Sequence, residues 1–132
     1  MTKDVSRRIL LLNHDQNETA TISQILLLNK YQVLRASNNR EAMALVKKST
    51  PDLIITNARS NGIDVEGLIG ILRSDPKFRR IPVLFVVEQG DSLPVELAAL
   101  NPGHPLMKPF TREQLAIAVQ KNLKCQQSRP TG

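Results

Sequence analysis

The chain has 132 residues, 41% apolar and 23% charged, which suits one soluble globular domain and excludes a disordered chain. Its apolar runs, such as Ile9 to Leu12 and Val83 to Val87, are far shorter than the roughly 20 residues of a membrane span. A single cysteine, Cys125, excludes an internal disulfide and a cysteine-based zinc site.

The amino end, MTKDVSRR, carries an acid and no apolar signal segment, so a cytoplasmic protein is expected. The first strand-like run is Ile9 to Leu12, followed by helical spacing at Ile22, Ile25 and Leu26 after a polar start at Asn17. A second strand, Gln32 to Ala36, precedes a helix that opens on Asn38 and Glu41. Their spacing is that of a capping box, and Ala42, Leu45 and Val46 share one face of the helix.

The third strand, Leu53 to Thr56, leads to a helix carrying Leu68, Ile71 and Leu72. After the fourth strand, Val83 to Val87, a shorter helix is expected from about Pro94 to the Pro102-Gly103 stop. The fifth strand is Pro105 to Met107. Thr111 and Gln114 form a second capping box, and Leu115, Val119 and Leu123 line the last helix. Residues 1–124 thus form the domain, and the polar stretch 125–132 reads as a frayed tail or the start of a linker.

Strands apolar on both faces that alternate with helices imply a parallel sheet covered on both sides, an α/β doubly wound sandwich of three layers. In such folds the functional crevice lies at the carboxyl ends of the strands. The positions to read are therefore Asn13, His14 and Asp15, then Asn57, then Val87 and Glu88, then Lys108.

The excess of Lys and Arg gives a net charge of +6. It comes in small pairs along the chain: Arg7-Arg8, Lys47-Lys48, Arg79-Arg80, and Lys121 with Lys124. None of the aromatics (Tyr31, Phe78, Phe85, Phe110) is interleaved with these pairs as a stacking platform. Solvated surface charge is the simpler reading, and nucleic acid is not expected as a partner of this domain.

The segments ILLLNHD, PDLIITN at 51–57, NGID at 61–64, IPVLFVV at 81–87 and MKPF at 107–110 together resemble the receiver domain of bacterial two-component response regulators. The resemblance spans about residues 8–124. It implies a (βα)5 flavodoxin-like fold with the sheet order 2-1-3-4-5. It also implies phosphoryl transfer from a histidine kinase to an aspartate after the third strand. Two acids after the first strand would hold Mg²⁺, while a hydroxyl after the fourth strand and a lysine after the fifth would meet the phosphoryl oxygens.

Here those positions are changed. The acceptor position is Asn57, whose amide offers no anionic oxygen to attack phosphorus. The acidic pair is replaced by Asn13 and His14, which leaves Asp15 as the nearest residual acid. Val87 stands at the hydroxyl position and Pro105 at the aromatic switch position. Lys108 is retained, with Pro109 behind it in a peptide bond that is cis in relatives. With fewer carboxylates around it, Lys108 is expected to donate to the Asn57 side-chain oxygen or to a backbone carbonyl.

The resemblance therefore implies a degenerate receiver: not an enzyme, without a bound Mg²⁺ or other cofactor, and acting through protein contacts in phosphorelay signalling. The family's output face, formed by the fourth helix, fifth strand and fifth helix, would include Leu97, Leu100, His104, Ala116 and Ile117. It would serve a protein partner or a homodimer. Three alternatives stand beside this reading: a regulatory domain of a nucleic-acid-binding protein, a receiver phosphorylated through a displaced acid such as Asp15 or Asp64, and a polar-ligand sensor in the vacated crevice.

Overall fold

The structure, a computed structural model, describes residues 7–58, 62–91 and 105–128. The helix expected near Pro94, with Leu97, Leu100 and His104, lies outside the described residues. Five parallel strands form one sheet in the order β2-β1-β3-β4-β5. They are β1 Arg8–Leu12, β2 Gln32–Ala36, β3 Leu53–Asn57, β4 Val83–Val87 and β5 Leu106–Met107. The register sets Leu10 beside Leu34 and Ile54, Asn57 beside Val86, and Val87 beside Met107. This is the flavodoxin-like order.

Alternation along β1 divides the core between the two sheet faces. Leu10 and Leu12 point to a cluster with Ala42, Val46, Leu68, Ile69 and Phe85. Ile9 and Leu11 point to the opposite cluster, with Ile22, Leu26, Leu115, Val119 and Leu123. Helices α2 (Asn39–Ser49) and α3 (Val65–Ser74) cover the first face. Helix α1 (Gln16–Leu28) and the C-terminal helix Arg112–Ser128 cover the second. Burying each such aliphatic side chain contributes about 1.5–3 kcal/mol, so these two stripes hold the layers together.

Local sequence explains where the helices start. Asn38 Oδ1 accepts from Glu41 N at 2.9 Å, but Glu41 reaches back one residue further than expected, accepting from Ser37 N at 2.8 Å. The Thr111–Gln114 box closes in both directions, at 3.0 and 2.8 Å. Asp64 caps α3 by accepting from Gly67 N at 3.0 Å.

Two expectations are corrected. Ile71 does not line the core: it is 55% exposed, and Val65, Leu68, Ile69 and Leu72 form the buried stripe. At 100° per residue Ile71 falls about 110° from the centre of that stripe. Strand β2 is only partly covered, because it is an edge strand. The C-terminal helix extends to Ser128.

Candidate functional site

The crevice is assembled from the residues that follow β1, β3, β4 and β5. Asn13 continues β1, its N–H donating to Ala36 O at 3.0 Å, and its side chain is buried. Asn13 Oδ1 accepts from Asp15 N at 2.9 Å, which turns the chain into α1. Asp15 is the N-cap of that helix. Its Oδ1 accepts from Asn17 N at 2.9 Å and from Glu18 N at 3.2 Å.

That cap sets the phase of the first turn and directs Glu18 across the crevice. Glu18 Oε1 accepts from Asn13 Nδ2 at 2.6 Å and from Asn57 Nδ2 at 3.1 Å. Glu18 Oε2 accepts from Lys108 Nζ. Lys108 Nζ also donates to Glu88 Oε2 at 2.9 Å, while its backbone N–H donates to Val87 O at 2.8 Å. The Lys108–Pro109 peptide bond is cis, as the resemblance implied. One carboxylate thus joins three strand ends.

Lys108 therefore has an acceptor, as expected, but not the expected one. Its partners are the Glu18 and Glu88 carboxylates rather than Asn57 or a backbone carbonyl. The reason is charge: an ammonium gains more from an anionic oxygen than from a neutral amide. Glu18 carries most of this effect. Its side chain is 23% exposed and that of Lys108 18%, whereas Glu88 is 70% exposed and largely screened by water.

Partial burial works to raise the Glu18 carboxyl pKa. The hydrogen bonds from Lys108, Asn13 and Asn57, with the lysine charge, outweigh it and hold the group below its ordinary value. For Lys108, burial works downward, and the bonds to Glu18 and Glu88 with their charges raise it above its ordinary value. The two shifts agree: each partner stabilises the charged form of the other.

The other predicted positions divide clearly. Asn13, Asn57 and Lys108 meet through Glu18. His14 and Asp15 are exposed, and Asp15 is engaged as the helix cap rather than turned into the crevice. Val87 is buried in the core and offers no hydroxyl. Pro105 is exposed just before β5, and Ile117 is 51% exposed on the C-terminal helix. Asp64 caps α3.

The bonds around the crevice carboxylate bear on the Mg²⁺ ion that the resemblance implies. Such an ion wants carboxylate and carbonyl oxygens, yet the crevice carboxylate is bonded to an ammonium, and both asparagine amides present N–H to it. Among the described residues no group of three or more His, Cys, Asp or Glu side chains could hold a metal. A small cavity beneath Asn13 and Asn57 is lined chiefly by Leu11, Ile22, Ile55 and Val86.

Sequence reasoning missed Glu18, and took Asp15 for the nearest residual acid after β1. A signal was present in Asp15 and Glu18 themselves, whose N-cap and N3 spacing fixes Glu18 in the first turn after β1.

No family model matches the chain. The chain is 29% identical to the response regulator MprA of Mycolicibacterium vanbaalenii, over 89% of its own length and 50% of that protein. It spans less than a fifth of several larger relatives, among them hybrid signal transduction histidine kinase D of Dictyostelium discoideum. The signal receiver domain of a histidine kinase from Syntrophus aciditrophicus superposes with a TM-score of 0.77 at 25% identity, over 96% of this chain and 97% of that one. No helix among the described residues is long and apolar enough to cross a membrane. The relatives and structural neighbours of this chain include response regulators and receiver domains, and the chain carries their fold.

Proposed function

We propose that this chain is a receiver domain of two-component signalling that has lost phosphorylation and works as a protein-binding module. The observation that carries this reading is the engagement of Lys108 by Glu18. In the phosphorylated state of a working receiver, this lysine would meet a phosphoryl oxygen. Here an internal carboxylate supplies the anion, and the same carboxylate takes an N–H from Asn57, the residue at the acceptor position. Phosphoryl transfer needs positioned charge around a nucleophile. Asn57 provides no nucleophile, Val87 no hydroxyl, and the Asn13 amide no anionic metal ligand.

With the chemistry gone, function rests on surfaces. Ile117 and Met107 are each about half exposed (51% and 50%), and they offer apolar contact to a protein partner such as a kinase, an effector domain or a second copy. The test is an amide NMR titration of the chain with Mg²⁺ and then beryllofluoride. Unchanged resonances at 13–15, 57 and 87–88 are expected. Saturable shifts there would mean that a displaced acid still builds a phosphorylation site, and would overturn the proposal.

A further inference from the structure

The basic pairs that look scattered in sequence are gathered by the fold. In a doubly wound sheet every strand begins, and every helix ends, opposite the crevice. Arg7 and Arg8 open β1, Lys47 and Lys48 occupy the last turn of α2, and Arg79 and Arg80 lie in the connection from α3 to β4. Contacts tie these segments together. Arg8 Nη1 donates to Ser49 O at 2.7 Å, and Arg8 N donates to Asp52 Oδ2 at 2.8 Å. Arg73 Nη1 donates to Arg79 O and Ile81 O, each at 3.0 Å.

Lys30 follows α1 at the same end, and Lys77 precedes Arg79. Lys121 precedes Leu123, which packs into the cluster holding Ile9 and Leu53, near the starts of β1 and β3. Among the described carboxylates, only Asp52 and Asp75 belong to this end. Asp15, Glu18, Glu41, Asp64, Glu66 and Glu88 sit at helix starts or strand ends around the crevice. The molecule is electrically polarised along its strands.

Lysines at helix C-termini are ordinary, since they complement the helix dipole. Each of the four described helices brings only about half a negative charge to this end, however, less in total than the cations gathered there. We infer that the basic end docks on the phosphate backbone of double-stranded DNA, an activity independent of the state of the crevice. Protein interfaces are anchored by exposed aromatic and apolar side chains and are poor in lysine. Membrane-surface sites need an apolar face. Leu27 and Leu28 are exposed in the last turn of α1, on the Lys30 side of this end, so the contact is placed on the other side, at Lys47, Lys48 and Arg79, where among the described residues Ile71 is the one exposed large apolar residue. Phosphates ask only for charge, and binding them gives no base specificity.

The test is fluorescence anisotropy of the full chain with a labelled 20-base-pair duplex. For about five phosphates neutralised, affinity should fall about 500-fold between 50 and 200 mM salt. The triple variant Lys47→Gln, Lys48→Gln, Arg79→Gln should reduce the log–log salt slope by about three, while Arg40→Gln, at the crevice end of α2, should leave it unchanged. No binding at 50 mM salt, or equal loss in both variants, overturns the inference. So does tighter binding to phosphatidylserine vesicles than to the duplex. None of these results bears on whether the crevice takes beryllofluoride.

Discussion

Glu18 takes hydrogen bonds from Lys108, from buried Asn13 and from Asn57, so its removal affects several groups at once. In Glu18→Ala, Lys108 keeps only the exposed Glu88 among these partners, and the Asn13 amide loses its acceptor. A loss of about 1–3 kcal/mol is expected, measured by urea unfolding. The pH dependence follows from the two shifts. The Glu18 pKa is lowered on folding, so its contribution is full above the unfolded value near 4.5 and is lost as pH falls through the folded value. The Lys108 pKa is raised, so its contribution is full below about 10.5 and is lost as pH rises through the folded value. The pair is therefore intact between those limits, and Glu18→Gln should flatten the acid limb of a melting-temperature profile. Asn57→Asp should act in the opposite sense near neutrality: a second carboxylate beside Glu18 raises the pair's titration, and stability should fall as pH rises through it. Asn13, Asn57 and Lys108 were legible in the sequence because strand ends fix their places. Glu18 was not, because its direction depends on the helix phase set by the Asp15 cap.

The caps decide more than local stability. Asp15→Ala removes acceptors for Asn17 N and Glu18 N, a loss of about 1 kcal/mol. It also frees the turn that aims Glu18, so the variant should lose part of the Glu18 acid limb as well, read in the same pH profile. In α3, a Cβ on Gly67 would come 2.3 Å from Asp64 Oδ2, the side chain that caps the helix. Gly67→Ala should therefore gain little. The helix-propensity benefit of about 1 kcal/mol is offset by loss of a cap of similar size, which a urea midpoint would reveal. The strands and most helices were readable, since β1, β3 and β4 are apolar on both faces and two capping boxes marked helix starts. The phase of α3 was misread at Ile71 because Leu68, Ile71 and Leu72 also fit helical spacing. Only the neighbouring Val65 and Ile69 reveal the true stripe. The depth of β2 was misread because the apolar content of a five-residue run does not say whether it lies at the centre or the edge.

Across the molecule, the Lys108–Glu18 contact joins residues 90 apart in sequence and holds the last strand end against the first helix. With Val87 buried and Lys108 held from two sides, one arrangement rather than two is expected. Relaxation-dispersion NMR should give flat profiles at Val87, Glu88 and Lys108; millisecond exchange there would show a second populated state. Among the described residues the strand order leaves two margins, β2 and β5, where backbone N–H and C=O groups could recruit a strand from another chain. On β2, Gln32 and Arg35 are exposed, and the Arg35 guanidinium is turned to the Ser23 hydroxyl at 3.1 Å. An incoming strand would have to desolvate that charge. β5 is only two residues long, too short a template to hold a foreign strand in register. Both margins therefore resist amyloid-like stacking, one by charge and the other by brevity.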